Sequence, residues 1–167
     1  RVRRQGGQRI AVGCDGRISS PLLEHALVEG LTASGADVVR IGLGPTPLLY
    51  FAEASMQDVQ GGIQVTGSHN PANHNGFKLV HAGHPVFGAE LRQLGDMAAA
   101  GDWLDGVGGC ERREVLPCYV DGLLGGLEGA ALEGLSALRI GWDAGNGAAG
   151  PVVEKLVKLL PGEHHTL

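Results

Sequence analysis

Two short apolar runs with a helical pattern between them open the chain, and this order restricts the fold more than any other feature. Residues 9–13 (RIAVG) predict a buried strand, and residues 36–41 (ADVVRI) predict a second one. Between them, Ser20 and Pro21 match a helix N-cap followed by proline, and Gly35 suits the position just after a helix. A β-α-β order implies two parallel strands joined by a right-handed crossover. The sequence therefore predicts an α/β fold.

Further periodic segments continue this pattern. The next predicted elements are helices at 48–56 and 89–99 and strands at 62–66 and 76–80. Leu91, Leu94 and Met97 share one face of the later helix and are interpreted as part of the core. Residues 81–85 (HAGHP) are interpreted as a turn. We expect a mixed, mostly parallel sheet with flanking helices.

The C-terminal part of the chain predicts a separate unit. Residues 117–135 indicate a glycine-rich helix, and residues 138–142 a strand. A glycine-rich turn and a helix at 151–160 follow, with no returning strand, so we interpret this part as the truncated start of a second α/β domain. The predicted organisation is a first domain at 1–114, a connecting helical segment at 115–134 and the incomplete domain at 135–167.

Charge and composition argue against several classes of function. The net charge is −5, and the only basic cluster is the first four residues, which argues against nucleic-acid binding. No apolar run reaches the ~18 residues of a membrane helix, so no membrane partner is expected. Cys14, Cys110 and Cys118 show no paired spacing, which favours a reducing, cytoplasmic setting with Cys14 as a small core residue.

The segment between the third and fourth predicted strands concentrates polar chemistry. Its residues of interest are Gly67, Ser68, His69, Asn70, Asn75, Gly76 and Lys78. A hydroxyl that carries a phosphoryl group, with an amine, an imidazole and backbone N–H groups around it, would explain this set. The segment matches neither the G-x-S-x-G turn of hydrolases nor a P-loop. The alternative is that Ser68 and Asn70 are turn residues whose side chains bind the local backbone.

Four motifs resemble the α-D-phosphohexomutase superfamily, which includes phosphoglucomutase and phosphomannomutase. The segment 66-TGSHNPANHNGFK-78 resembles the phosphoserine loop of that family. The form of this loop is most similar to the bacterial phosphomannomutase/phosphoglucomutase branch. The other motifs follow in the family's order: 13-GCDGRISSP-21, 42-GLGPTP-47 and 143-DAGNGAAG-150, which resembles the opening of the second domain.

The resemblance implies a reaction and three catalytic residues. Ser68 would carry the transferable phosphoryl group, and its phosphate would supply one ligand to Mg²⁺. His69 and Lys78 match positions that contact the reacting groups, and Lys78 is favoured for proton transfer. Phosphate would move between C1 and C6 of a hexose phosphate, the substrate, through a hexose 1,6-bisphosphate intermediate.

The resemblance also implies supporting roles around the serine. Asn70 and Asn75 would shape the loop. Independently of the resemblance, Gly67 and Gly76 are expected to let backbone N–H groups approach a ligand closely, because glycine has no side chain. Residues 15–17 (Asp-Gly-Arg) would be a conformational element near the site with no catalytic role.

The departures from the family limit what the chain is expected to do alone. The Asp-Gly-Asp-Gly-Asp-Arg loop that holds Mg²⁺ in the family is not in the sequence, nor are its sugar-recognition and phosphate-binding loops. We therefore expect no mutase turnover from this chain by itself, and its partners would include the missing C-terminal domains. The alternative is a non-catalytic α/β module that binds phosphate or a complementing chain.

Overall fold

A computed structural model of the chain describes residues 2–127 and 129–167. The chain divides into two compact units, Arg1–Arg113 and Glu114–Leu167. Arg1 and Glu128, which fall in the predicted first domain and connecting segment, lie outside the described residues. None of the helices in the described ranges has the length and apolar character needed to cross a membrane.

The first unit contains a six-stranded sheet. Its strands are β1 (Arg9–Cys14), β2 (Asp37–Leu43), β3 (Gly61–Val65), β4 (Phe77–His81), β5 (His84–Val86) and β6 (Cys110–Arg112). They are arranged in the order β5-β4-β3-β1-β2-β6. β1 pairs in parallel with β2 and β3, and β2 with β6, whereas β4 is antiparallel to both neighbours. The helices of this unit are α1 (Ser20–Ala33), α2 (Thr46–Ser55) and α3 (Gly88–Ala99). The predicted α/β class with a mixed, mostly parallel sheet is confirmed.

β1 is the buried centre of the sheet. Five consecutive residues of this strand are buried, as expected for a parallel strand covered on both faces. Ile10 and Val12 belong to a cluster that includes Val28 of α1 and Val38 of β2. Because this cluster holds β1 in place, it also determines where Asp15, the residue after the strand, must lie.

The start of α1 differs from the prediction. Ser19 occupies the N-cap position and Ser20 is the first helical residue. The Ser20 hydroxyl does not cap the helix but donates to Oδ1 of Asp15 at 2.5 Å. The predicted N-cap role of Ser20 is therefore wrong, because its buried hydroxyl binds a carboxylate, which is a strong acceptor. The predicted helix end is confirmed: Gly35 follows α1 with a φ of +79°.

Residues 81–85, predicted as a turn, are partly a strand. β5 pairs with β4, and His81 lies opposite His84. Only Ala82 and Gly83 form the turn, with φ values of +50° and +75°, as in a two-residue hairpin turn. Pro85 is tolerated because β5 is at the edge of the sheet.

α3 does not bury the predicted core residues. None of its residues is buried, and Leu91 is 45% exposed. Leu94 and Met97 are half-buried and line a cavity of about 230 Å³ with Ile10 and Leu31. The predicted core role is wrong for Leu91 and only partly met by the other two, because this cavity lies between the helix and the sheet.

The second unit contains three helices and a parallel strand pair in the described residues. Its elements are α4 (Leu116–Gly125), α5 (Gly129–Leu135), β7 (Arg139–Trp142), α6 (Gly150–Leu156) and β8 (Glu163–Thr166). The single helix predicted at 117–135 is two helices, because the glycine pair at 125–126 ends the first one. β7 pairs in parallel with β8, and the Trp142 indole donates to Nδ1 of His164 at 3.0 Å.

Besides β5, two other short strands were not predicted. β6 pairs in parallel with β2 through three exposed residues. β8 returns beside β7, so the predicted absence of a returning strand after the last helix is wrong. Both segments are short and polar (CER and EHHT), and neither shows the apolar alternation on which strand prediction depends.

Candidate functional site

The Ser68 loop, residues 66–76, connects β3 to β4 at the end of the sheet where β1 and β3 terminate. β1 ends beside it, because the parallel strands β1 and β3 pair Cys14 with Val65 at their last residues. The N–H of Asp15 extends this ladder and donates to the carbonyl of Val65 at 2.9 Å. Functional loops of α/β folds commonly lie at the carboxyl ends of parallel strands. Asp15 thus stands at the base of the Ser68 loop.

The Asp15 carboxylate is the hub of the site. Oδ1 accepts hydrogen bonds from the Ser20 hydroxyl at 2.5 Å and the Arg17 N–H at 3.1 Å. Oδ2 accepts from Arg17 Nε at 3.1 Å, the Thr66 hydroxyl at 2.8 Å and the Gly67 N–H at 3.3 Å. Burial alone would raise the pKa of Asp15, but these hydrogen bonds together lower it below its ordinary value. Asp15 is therefore a fixed anion.

Arg17 joins this hub to the Ser68 loop. Its side chain is only 15% exposed, and Nε pairs with Asp15. The two terminal nitrogens donate only to backbone carbonyl oxygens of the loop. Nη1 donates to Pro71 at 2.6 Å and His74 at 3.0 Å, and Nη2 to Ser68 at 2.9 Å and Asn70 at 2.8 Å. All five N–H groups of the guanidinium are thus used inside the protein.

Ser68 is held through its backbone while its hydroxyl stays available. Its φ is +51°, a left-handed conformation that is uncommon outside glycine. The Ser68 N–H donates to Oγ1 of Thr66 at 2.9 Å, and the Thr66 hydroxyl donates onward to Asp15. The residue is exposed, and its hydroxyl has no hydrogen-bond partner among the described residues. A hydroxyl held in this way can receive a substituent without losing a hydrogen bond to the protein.

The N–H groups of the two loop glycines are used inside the protein. The Gly67 N–H donates to Asp15 and the Gly76 N–H to Oδ1 of Asn75, so neither is free for a ligand. Gly67 is required for another reason: a Cβ there would lie 2.5 Å from Cζ of Arg17. Glycine lets Arg17 pass directly over the backbone.

Asn75 fastens the far end of the loop to α1. Its Nδ2 donates to the hydroxyls of Ser19 at 2.9 Å and Ser20 at 2.8 Å, and its Oδ1 accepts from Gly76. The Gly76 carbonyl accepts from the Thr66 N–H at 2.9 Å, which closes the loop. Asn75 thus contacts the loop and the helix rather than a free surface.

Asn70, His69 and Lys78 are placed differently from one another. The Asn70 N–H donates to Gly67 at 2.9 Å and its carbonyl accepts from Arg17, so its backbone forms part of the turn. His69 is exposed, and Lys78 is half-buried on β4. Neither side chain makes a hydrogen bond or ion pair with a residue in the described ranges. The structure therefore does not join them to Ser68, but both remain available to a ligand.

Sequence reasoning missed the supports of the loop. The sequence pattern predicts no role for Thr66 or Ser19 and an N-cap role for Ser20, although all three bind Asp15 or Asn75. One signal was available: Asp15 and Thr66 directly follow two apolar runs that the sequence predicts to be strands of one mostly parallel sheet. Polar residues that follow parallel strands lie at the same end of the sheet.

The described residues do not form a divalent-cation site. No group of three or more His, Cys, Asp or Glu side chains in residues 2–127 and 129–167 could hold a metal ion. Asp15, the carboxylate at the base of the loop, already accepts five hydrogen bonds. Mg²⁺ requires near-octahedral oxygen ligands, and a phosphoryl group on Ser68 would supply only part of such a set.

Comparison of the sequence with known proteins finds matches to one family. The family model described as phosphoglucomutase/phosphomannomutase, alpha/beta/alpha domain I, matches residues 1–103. A phosphomannomutase/phosphoglucomutase of Pseudomonas putida is 37% identical over 156 residues, which is 93% of this chain and 32% of that protein. A phosphomannomutase of Salmonella typhimurium is 40% identical over 153 residues, or 88% of this chain and 33% of that protein.

A solved structure shows the same likeness. The phosphoglucomutase/phosphomannomutase family protein of Burkholderia thailandensis aligns with a TM-score of 0.88 and 38% identity, over 99% of this chain and 37% of that one. The chain spans about a third of the length of the curated relatives it matches.

Proposed function

The chain belongs to the phosphoglucomutase/phosphomannomutase family, and on this basis we propose that it is the phosphoserine-bearing part of a phosphohexomutase. In the complete enzyme, phosphate would move between C1 and C6 of a glucose or mannose phosphate through Ser68. One observation carries this proposal: the Ser68 hydroxyl is exposed and without a partner among the described residues, while the backbone around it is bound by Thr66 and Arg17.

The proposed chemistry is phosphoryl transfer to and from oxygen. As Ser68 accepts the group, a bond forms between Oγ and phosphorus, and the bond between phosphorus and the sugar oxygen breaks. The Oγ proton leaves, and the sugar oxygen takes up a proton. The donor in this step is the hexose 1,6-bisphosphate, which leaves as a hexose monophosphate. In the other half-reaction the phosphoryl group passes from Ser68 to the free hydroxyl of a hexose monophosphate, the bond between phosphorus and Oγ breaks, Oγ takes up a proton, and the bisphosphate forms again. We propose Lys78 as a proton carrier and His69 as a second group that contacts the reacting atoms, because neither is engaged elsewhere in the described residues.

The charges of the loop are compatible with a phosphoserine. A phosphorylated serine carries about −1.5 to −2 charge at neutral pH, which an unpaired carboxylate nearby would repel. Asp15 is a nearby carboxylate, but it is paired: Arg17 and the other hydrogen-bond donors offset its charge. The Asp15–Arg17 pair therefore lets a carboxylate anchor the loop beside the acceptor serine.

Mg²⁺ is proposed as a cofactor that this chain holds only in part. A phosphoryl oxygen on Ser68 would be one ligand, and carboxylates outside residues 1–167 would supply others, since the described residues form no cation site. For the same reason we propose that the chain alone has no sustained turnover. That observation also favours a second candidate function, a non-catalytic module that binds phosphate or a complementing chain.

Phosphoryl acceptance separates the two functions. The purified chain is incubated with glucose 1,6-bisphosphate and Mg²⁺, and its intact mass and modified peptides are measured. The expected result is one phosphoryl group on Ser68, absent from Ser68→Ala and retained in Ser55→Ala, which changes another exposed serine of the first unit. No phosphoryl group, or one on another residue, contradicts the role of Ser68 and favours the non-catalytic module.

Turnover is measured separately with the same preparations. Conversion of glucose 1-phosphate to glucose 6-phosphate is followed with excess bisphosphate. We expect no sustained product from the wild-type chain. Sustained product that disappears in Ser68→Ala would overturn the proposed inactivity of the chain and leave the role of Ser68 intact.

A further inference from the structure

Arg17 recognises the Ser68 loop through its backbone rather than its side chains. Four carbonyl oxygens of the loop converge on the two terminal nitrogens of the guanidinium, at distances of 2.6 to 3.0 Å. A single side chain therefore determines the orientation of several peptide planes in one loop. The pairing of Nε with Asp15 at 3.1 Å keeps the plane of the guanidinium in place.

The orientation of these carbonyls determines where neighbouring N–H groups point. A trans peptide is planar, with C=O and N–H on opposite sides, and every peptide bond in the described residues is trans. Three of the four bound carbonyls precede His69, Ala72 and Asn75, so those N–H groups point away from Arg17. None of the three donates to another residue in the part of the chain that the structure describes.

One of these N–H groups adjoins the Ser68 side chain. The Ser68 N–H is already used by Thr66, so it is not available to a group on the Ser68 oxygen. The next N–H along the chain belongs to His69, which is exposed and whose peptide is turned by Arg17. An oxyanion attached to Ser68 would find its first free backbone donor there. Hydrogen bonds from backbone N–H groups stabilise the charged form of such an anion.

We propose that Arg17 is a positioning residue for phosphoryl transfer: by binding the loop carbonyls, it leaves the His69 N–H free and oriented to donate to a phosphoryl group on Ser68. The inference rests on the proposed function of Ser68 as the phosphoryl carrier. Arg17 itself would not touch the phosphoryl group, because all its N–H groups are already used.

Arg17→Lys tests the geometry while keeping the charge. A lysine ammonium has three N–H donors on one atom, so it cannot bind Asp15 and four carbonyl oxygens at once. The loop is expected to lose the orientation of the His69 peptide although the positive charge remains nearby. Arg113→Lys is the matched control, because Arg113 binds the carboxylates of Asp58 and Glu111 and no loop carbonyl.

The readout is the ionisation of the phosphate itself. Phosphoserine is incorporated at position 68 of the full chain during synthesis with a phosphoserine-specific suppressor tRNA. Its ³¹P chemical shift is then followed against pH, beside a peptide of residues 66–78 with the same modification. A free phosphoserine titrates near pH 6. We expect the wild-type chain and Arg113→Lys to titrate at least about half a pH unit lower than the peptide, because N–H donors favour the dianion.

Arg17→Lys is expected to return the titration to that of the peptide. If Arg17 had a purely structural role, Arg17→Lys would lower the thermal stability and leave the phosphate titration where it is in wild type. That result would overturn the proposal. A wild-type chain that titrates like the peptide would also overturn it. If Arg17→Lys does not fold by circular dichroism, Gly67→Ala is used, because a Cβ there would lie 2.5 Å from Cζ of Arg17 and would displace the guanidinium without changing any charge, so it should produce the same shift.

The titration does not require Ser68 to accept phosphate from a sugar. Failure of the bisphosphate experiment with a retained titration shift would therefore reject the proposed function and leave the orientation of the loop by Arg17 supported. Phosphoryl acceptance in a wild-type chain without the titration shift would support the proposed function and reject the orientation of the loop by Arg17.

Discussion

The hydroxyl of Thr66 donates a hydrogen bond of 2.8 Å to Oδ2 of Asp15, and so joins the ends of two parallel strands that lie 51 residues apart in the chain. Oγ1 of Thr66 in turn accepts a hydrogen bond from the N–H of Ser68 at 2.9 Å. Thr66 thus lies between the carboxylate that anchors the site and the serine proposed to carry phosphate. Its hydroxyl serves as donor on one side and acceptor on the other.

Thr66→Val removes this link and retains the shape of the side chain. Asp15 loses a donor and the Ser68 N–H loses its acceptor, so we expect the free energy of unfolding to fall by about 1–3 kcal/mol. Urea denaturation followed by circular dichroism measures it. Thr66→Ser is the control, because it keeps the hydroxyl and loses only a methyl group. Its free energy of unfolding should fall by less than that of Thr66→Val. Wild-type stability in Thr66→Val would show that the link contributes nothing.

Ser68→Gly should stabilise the protein relative to Ser68→Ala. Both substitutions remove the hydroxyl, but only glycine relieves the left-handed backbone at a φ of +51°. We expect glycine to exceed alanine by about 1 kcal/mol in free energy of unfolding. Thermal melts of the two variants provide the comparison. Equal stabilities would mean that the loop relaxes to a negative φ when the hydroxyl is removed.

Acid should weaken the protein through Asp15. Its pKa lies below the ordinary value, so its contribution to stability is complete above the pKa of the unfolded chain and is lost as pH falls through the folded value. The difference in free energy of unfolding between wild type and Asp15→Asn should therefore be largest near neutral pH and shrink below about pH 4.

The matched control for this titration is Asp102→Asn. Asp102 also has a lowered pKa, because Arg4 donates to it, but the pair is exposed. The effect of Asp102→Asn on the free energy of unfolding should be small and should diminish at high salt. A difference between wild type and Asp15→Asn that stays constant from neutral to acid pH would contradict the assignment of Asp15 as a fixed anion.

The three cysteines should differ in reactivity toward iodoacetamide. Burial raises the pKa of the Cys14 thiol to about 11, and neighbouring carboxylates add to the shift. Cys110 and Cys118 are exposed. Because the thiolate is the reactive form, Cys110 and Cys118 should be alkylated first at mildly alkaline pH, and Cys14 only after unfolding.

Peptide mass mapping at successive times measures this order, with urea-unfolded protein as the reference for equal access. Early alkylation of Cys14 in the folded chain would show that the end of β1 opens readily. Since Asp15 follows Cys14 directly, such opening would also reach the base of the Ser68 loop.

The parts of the fold that the sequence predicted are those with a strong local pattern. β1 is a buried apolar run, α1 has a regular helical face, and Gly35 marks its end. β5, β6 and β8 are short, and their residues are held by pairing with a neighbouring strand rather than by a pattern of their own. Strand pairing of this kind depends on the partner, which local periodicity does not contain.

The features of the candidate site also divide into those with a local sequence pattern and those that depend on distant parts of the chain. The sequence pattern is enough to place Ser68 in a polar loop between two strands and to show that this loop resembles one family. How the loop is held depends on contacts between segments that are distant in the chain. Arg17 binds four carbonyls that lie 51 to 57 residues further along the chain. Because every residue has a carbonyl, no sequence pattern shows which of them will gather around one guanidinium. That outcome depends on the parallel pairing of β1 with β3, which brings the end of one strand beside the loop that follows the other.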